Sequence, residues 1–255
     1  MWNSDRLPSG AFLRALLLLF GVVGSVWSSL VLPSFQLTAP ARNISARIIA
    51  DESFKPGALG EMLLRTNAVS EPPMIQPEFS QSQALITLRA AEEAILRKTP
   101  EEADHEIEAA QNKVKAALAV APTDSFLWLM LYSAEISRSG FDLQIAHYLG
   151  QSYAAGPLEG WISLRRNRLA LAVFAMLSEV VQRATISEFS NMVSSGFVDQ
   201  AATNLATVGW SNRDRLLAAL TQVDITDRQS LAKQLLKVGV NVTVPGVERE
   251  ERPWQ

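Results

Sequence analysis

Two kinds of hydrophobic spacing divide this chain. From Ala15 to Leu32 it reads ALLLLFGVVGSVWSSLVL, 18 residues without a charge or a polar face. At about 1.5 Å rise per residue such a helix nearly crosses a hydrocarbon core. From Ser82 onward apolar residues instead return every three or four positions, the period of a helix with one buried side. Ile107, Ala110, Val114, Ala117, Leu118 and Ala121 form one stripe, and Leu143, Ala146, Leu149 and Tyr153 a second. Ile162, Leu169, Val173, Met176 and Val180 predict one long helix beginning near Leu158. Shorter helices follow at Val198–Val208, Leu216–Val223 and Leu231–Val238. Phe126–Tyr132 is apolar all round and too short to cross a bilayer, which predicts a central core helix. Val238–Val244 is the one strand-like stretch, too isolated for a sheet.

Punctuation supports the helices. Thr99-Pro100-Glu101-Glu102 predicts a capping box with proline at the first helical position: the hydroxyl accepts a free N–H, and Glu102 reaches back to the cap. Thr185-x-x-Glu188 and Thr226-x-x-Gln229 have the same spacing. Gly140, Gly156, Gly196, Gly209 and Gly239 fall where the stripes end. Between the greasy run and Ser82 lie Pro33, Pro40, Pro56, Pro72, Pro73 and Pro77. Proline removes backbone donors, so Pro33 is expected to end the first helix and an extended spacer to follow. Only Gly57–Arg65 there has helical spacing.

The expected organisation is all-α. It runs as a cytoplasmic segment 1–14, a transmembrane signal-anchor 15–32, a proline-rich spacer 33–81, helical hairpins 82–184, additional C-terminal helices 185–240 and a flexible tail 241–255. Arg6 and Arg14 precede the apolar run, which favours a cytoplasmic N-terminus and an exported body; Arg42, Arg47 and Lys55 on the far side pull the other way. Two other readings of the run are a cleaved signal peptide, ending after Ser28 or Ser29, and a buried soluble helix. Its length exceeds the usual signal core and it lacks a polar face, which favours the anchor.

Composition narrows the chemistry. The net charge is −3, which argues against nucleic acid as a partner. The chain has no cysteine, which removes thiolate nucleophiles, disulfides and cysteine-ligated metals. Its two histidines leave no Ser–His–acid set, and no glycine-rich phosphate loop occurs. His105 lies among acidic residues without a second histidine at i+4, so a solvated face is expected rather than a metal site; His147 is expected half-buried at a helix contact. The reading is a protein that is not an enzyme and needs no cofactor or metal. Arg165, Arg166 and Arg168 follow Trp161, and this grouping of cations and indole in a charge-poor chain is the candidate binding patch.

Ala117-Leu118-x-x-x-Pro122 precedes Trp128-x-x-Leu131, and Trp161-x-x-Leu164 comes 33 residues after Trp128. This order resembles the tetratricopeptide repeat, whose paired helices approach through small residues and fill the next gap with tryptophan. Tyr132 and Arg165 stand where the family has a small residue. The resemblance covers roughly 82–184 and implies a helix-pair solenoid that binds proteins. The groove Lys and Asn of peptide-holding members are replaced here by Leu129 and Ser133, so that activity is not carried over. The order of anchor, spacer and tryptophan-bearing helix pairs also resembles small anchored proteins found beside bacterial envelope-polysaccharide machinery. Together these imply a single-pass inner-membrane protein with a periplasmic domain that scaffolds an envelope or membrane protein partner. An accessory protein that binds a saccharide or lipid-linked saccharide without catalysis is the alternative.

Overall fold

The computed structural model describes residues 9–50, 52–55, 57–67, 77–95, 97–157 and 159–248. Residues 1–8, the Pro72-Pro73 part of the spacer, Leu158, and the tail from 249 with Trp254 lie outside the described residues. Among the described residues there are eleven α-helices, three short 3-10 turns and no strand, as the periodicity predicts. The chain forms two compact units, one up to Val120 and one from Ala121.

In the first unit, α1 runs from Ser9 to Ile49, α2 from Ala58 to Asn67, α3 from Pro77 to Ile95 and α4 from Pro100 to Val120. Phe12–Val31 is long and apolar enough to cross a membrane and none of it is buried. Pro33 does not end this helix, and 33–49 is not an extended spacer. Each proline removes one ladder bond, but beyond Pro40 the helix gains tertiary packing, which outweighs propensity. Ala41 and Ile48 share a core with Leu59 and Ile86. Ser45 meets Ser82 at 3.1 Å and Arg42 pairs with Glu78. The pairs 42–78 and 45–82 advance together, so α1 and α3 are parallel. Only residues 96–99 separate α3 from α4 and the two pack along their length, an antiparallel hairpin. Pro77 and Pro100 are first helical residues, where the missing N–H costs nothing. The Thr99–Glu102 box forms in both directions.

The second unit holds α5 (Ser125–Ser139), α6 (Leu143–Ala155), α7 (Gly160–Ala172), α8 (Glu179–Ser194), α9 (Val198–Ala206), α10 (Arg213–Ala219) and α11 (Ile225–Lys237). Asp124 and Asp142 cap the first pair, accepting from Leu127 N and Gln144 N. Gly140, at φ 74°, takes the left-handed step out of α5. From Phe126 to Tyr132 every residue but Trp128 is buried, so this is the expected core helix. The long helix predicted from Leu158 to Val180 is instead two. A 3-10 turn at Phe174–Met176 breaks it, and Ser178 caps α8, leaving Met176 and Val180 exposed. Thr185 and Glu188 are consequently interior to α8, not a cap. At α11 the cap is Asp224, accepting from Thr226 N, rather than Thr226 itself. A second core joins Phe174, Phe189, Leu205, Leu216 and Leu231. Val240 and Val242 pack against it and Val244 is buried within it, although the segment forms no strand.

Candidate functional site

α7 has two unlike faces. Ile162, Ser163, Arg166, Asn167, Ala170 and Leu171 point inward. Trp161, Arg165, Arg168 and Ala172 recur at i, i+4, i+7 and i+11 and lie along the opposite face. The structure thus separates the candidate patch. Trp161 is 44% exposed and its ring lies 4.8 Å from that of Phe126, tilted by 49°. Arg165 is half-buried, with Nη1 3.8 Å from the Met130 sulfur, and Arg168 is exposed. Arg166 is 0% exposed and unavailable to any surface ligand. The helix carries three arginines and no acid.

Arg166 is the hub of a buried polar network. Its Nε and Nη2 donate to Glu188 Oε1 at 2.9 and 2.7 Å. Nη1 donates to Ser125 Oγ at 3.0 Å and to the Ser152 carbonyl at 2.7 Å. Its guanidinium lies 4.2 Å from the centre of the Tyr153 ring. Tyr153 donates its hydroxyl to Glu188 Oε2 at 2.7 Å. Asn167 Nδ2 donates to the Thr185 carbonyl at 3.0 Å, and Asn204 Nδ2 donates to Asn167 Oδ1 at 3.2 Å. Ser125 and Ser152 donate to each other's carbonyls at 2.9 and 2.8 Å, which draws α5 and α6 together. Gly156 allows that approach: a Cβ there would lie 2.7 Å from Ser125 Cβ. The network spans α5, α6, α7, α8 and α9. Burial, then the charge of Glu188, pushes the Tyr153 phenol well above its usual range. Both Glu188 oxygens already accept hydrogen bonds, so the carboxylate is arranged to hold helices rather than to move a proton.

No spacing along the chain groups Ser125, Ser152, Tyr153, Asn167, Glu188 and Asn204. One signal was present: Arg166 lies four residues from both Ile162 and Ala170, within the inward stripe.

Ala117, Leu118 and Leu131 are buried, and Leu164 packs partly against the second core. Trp128 is half-buried and its Nε1–H donates to the Pro122 carbonyl at 2.8 Å, tying α5 to the turn before it. Tyr148 stacks on Trp128 at 6.0 Å. Tyr132 is fully buried with no partner for its hydroxyl, and burial raises its pKa to about 12.

His105 is exposed on α4. His147 is exposed too, not half-buried as expected, because the inward face of α6 is Ile145, Leu149, Ser152 and Tyr153. Its Nε2 lies 3.3 Å from Gln151 Nε2. Among the described residues no three His, Asp or Glu side chains gather into a metal-holding group. A cavity of about 280 Å³ between α7 and α8 is lined by Pro157, Gly160, Ser163, Glu188, Asn191 and Phe197, on the side of α7 away from Trp161. Comparison with protein-family models, with curated proteins and with solved structures gives no match for this chain.

Proposed function

We propose that the chain is a membrane-tethered, non-catalytic interaction module. Phe12–Val31 anchors it in the inner membrane, and a tetratricopeptide-like helical body is held on the exported side to scaffold a protein of the cell envelope. One observation carries the reading: a 20-residue apolar helix that no other element covers among the described residues continues as a helix into a packed helical unit. Left in water, that uncovered surface would carry a large hydrophobic penalty. The α5/α6 hairpin and the Trp128–Pro122 hydrogen bond support the helix-pair part of the reading. Tethering itself supplies the mechanism, since confinement beside a membrane partner raises the effective concentration without a tight site. Assembly or export of envelope polysaccharide is the setting that this order of parts suggests.

A topology reporter fused after Gln255, with and without residues 1–36, tests the anchor and its orientation. An exported reporter and a membrane-bound full-length protein are expected. A cytosolic reporter signal, or a freely soluble full-length product, refutes the proposal. Crosslinking from the exported side is expected to capture a membrane or envelope protein that is lost when residues 1–36 are removed.

A further inference from the structure

The cavity of about 280 Å³ between α7 and α8 lies within the second unit. Glu188, Asn191, Met192 and Ser195 recur at i, i+3, i+4 and i+7, so one face of α8 supplies half of its wall. Glu188, 2% exposed, and Ser163 of α7, 6% exposed, belong to the interior, while Asn191 and Ser195 stand exposed at the mouth. Met192, Pro157 and Phe197 add apolar surface. A Cβ at Gly160 would stand 3.1 Å from the Phe197 ring, so the glycine lets that ring lie against the start of α7.

These groups restrict what the cavity can hold. No Lys, Arg or His is among its lining residues and a carboxylate is, which disfavours an anion. A cation gains little, because Arg166 Nη2 already lies 2.7 Å from Glu188 Oε1 and the pair is neutral as a whole. A wholly apolar ligand would strip water from hydroxyls and an amide and return no hydrogen bond. Neutral polar chemistry is left, with capacity in both directions. The Ser163 hydroxyl donates to the Glu159 carbonyl at 3.2 Å and keeps its lone pairs for a donor. Among the described residues the Asn191 amide and the Ser195 hydroxyl make no hydrogen bond, so each can donate and accept. Such groups beside Phe197, Met192 and Pro157 match a ring with hydroxyls on its rim and C–H bonds on its face. The volume falls at the small end of the roughly 300–1,000 Å³ of ligand sites, which leaves room for one ring.

We propose that this cavity binds one neutral pyranose unit of a saccharide, with Ser163, Asn191 and Ser195 on its hydroxyls and Phe197 against its C–H face. The site goes beyond the tethering role and stands without it, since every residue it uses lies in the second unit and none in α1. Arg166 and Tyr153 hold the two Glu188 oxygens, so this wall is set before a ligand arrives.

The test uses the full-length chain in a detergent without a sugar headgroup. Saturation-transfer NMR is read from the methyl glycosides of glucose, galactose, mannose and N-acetylglucosamine. At least one is expected to bind with a Kd on the order of 1 mM, as a few contacts in an open cavity would give. Asn191→Ala with Ser195→Ala should weaken it roughly tenfold or more, for two hydrogen bonds lost. Ser195→Trp, at an exposed position, should close the mouth and abolish the signal. Arg168→Ala, on the other side of α7, should leave it unchanged. Circular dichroism checks that each variant is folded. In the otherwise unaltered chain, 4-fluorophenylalanine placed at position 197 should shift its fluorine resonance with the same glycoside, a readout that does not depend on the variants. Silence from all the glycosides at roughly fifty times that concentration overturns the proposal. So does binding that survives the double substitution, or a fluorine resonance that stays put. Tighter binding of methyl glucuronide overturns it in favour of an anion, and equal binding of cyclohexanol or N-acetylglycinamide in favour of an apolar or peptide ligand.

Discussion

Replacing Arg166 by methionine keeps an unbranched stem of similar course through the core and deletes the guanidinium. Glu188, 2% exposed, then retains only its bonds from Tyr153 and Asn167, and Ser125 and the Ser152 carbonyl lose their charged donor. An uncompensated buried carboxylate costs about 3–5 kcal/mol. That is a large part of the roughly 5–15 kcal/mol that holds a domain folded. At an m-value of about 2 kcal/mol/M the urea midpoint should fall by about 2 M. The assay is urea unfolding of the full-length protein with Trp2→Phe and Trp27→Phe, in detergent, followed by tryptophan fluorescence, because the remaining Trp128, Trp161, Trp210 and Trp254 belong to the second unit. Arg168→Met, on the exposed face, should leave the midpoint where it is. Arg166→Met with Glu188→Leu should lose less than half of what the single change loses. An apolar pair leaves no orphan charge, and Asn167 keeps its bond to the Thr185 carbonyl. If Arg166→Met proves as mild as Arg168→Met, or if the double variant loses the sum of the two singles, the network is not the hub described above.

Ser45→Cys with Ser82→Cys should form a disulfide under mild oxidation, since the two hydroxyls are 3.1 Å apart in a chain without other cysteines; Ser45→Cys with Glu93→Cys should not, as shown by mobility on non-reducing gels. Gly156→Ala should destabilise the second unit by roughly 1–3 kcal/mol, because its Cβ would meet Ser125 Cβ at 2.7 Å, measured by the same urea titration. Burial raises Tyr132 to about 12, and burial with the charge of Glu188 raises Tyr153 well above its usual value. Unfolded phenols titrate near about pH 10, so stability should be full below that and decline as pH rises through the folded values. Tyr132→Phe should therefore flatten the alkaline fall in Tm and cost nothing at neutral pH, where the orphan hydroxyl makes no bond.

What was legible along the chain was local. The Thr99–Glu102 box, Pro77 and Pro100 at first helical positions, and Gly140 closing α5 all act through neighbours within a turn, and each can be read from spacing alone. Spacing and structure part where distant packing decides. Pro33 and Pro40 sit inside α1 because Ala41, Ser45 and Ile48 lean on α3, a partner some 37 residues away. Thr185-x-x-Glu188 has the spacing of a cap, but Glu188 is committed to Arg166, which no local rule reveals. The stripe running through Val173 and Met176 concealed the turn between α7 and α8 because apolar spacing continues across it. The candidate patch was half legible for the same reason: three arginines in four residues look alike until the phase of the helix is known.

That phase also explains why a costly buried ion pair suits this helix. On α7 the inward side offers Ile162, Ala170 and Leu171, while Trp161 and Leu169 on other sides are also apolar. Hydrophobic burial alone would gain little by choosing one rotation over another, since it is non-directional. A guanidinium has no such freedom. It meets Glu188, Ser125 and Ser152 together in only one rotation of the helix, and any other leaves charges buried without partners. Arg166 thereby selects the rotation, and in selecting it places Arg165 and Arg168 with Trp161 on the opposite side. The make-up of that side is set from inside the bundle, so the double variant Arg166→Met with Glu188→Leu should fold and yet blur the difference between the two faces of α7. Spin labels at position 161 and at position 168 would report it as converging mobilities, and two labels as distinct as in the parent would contradict the argument.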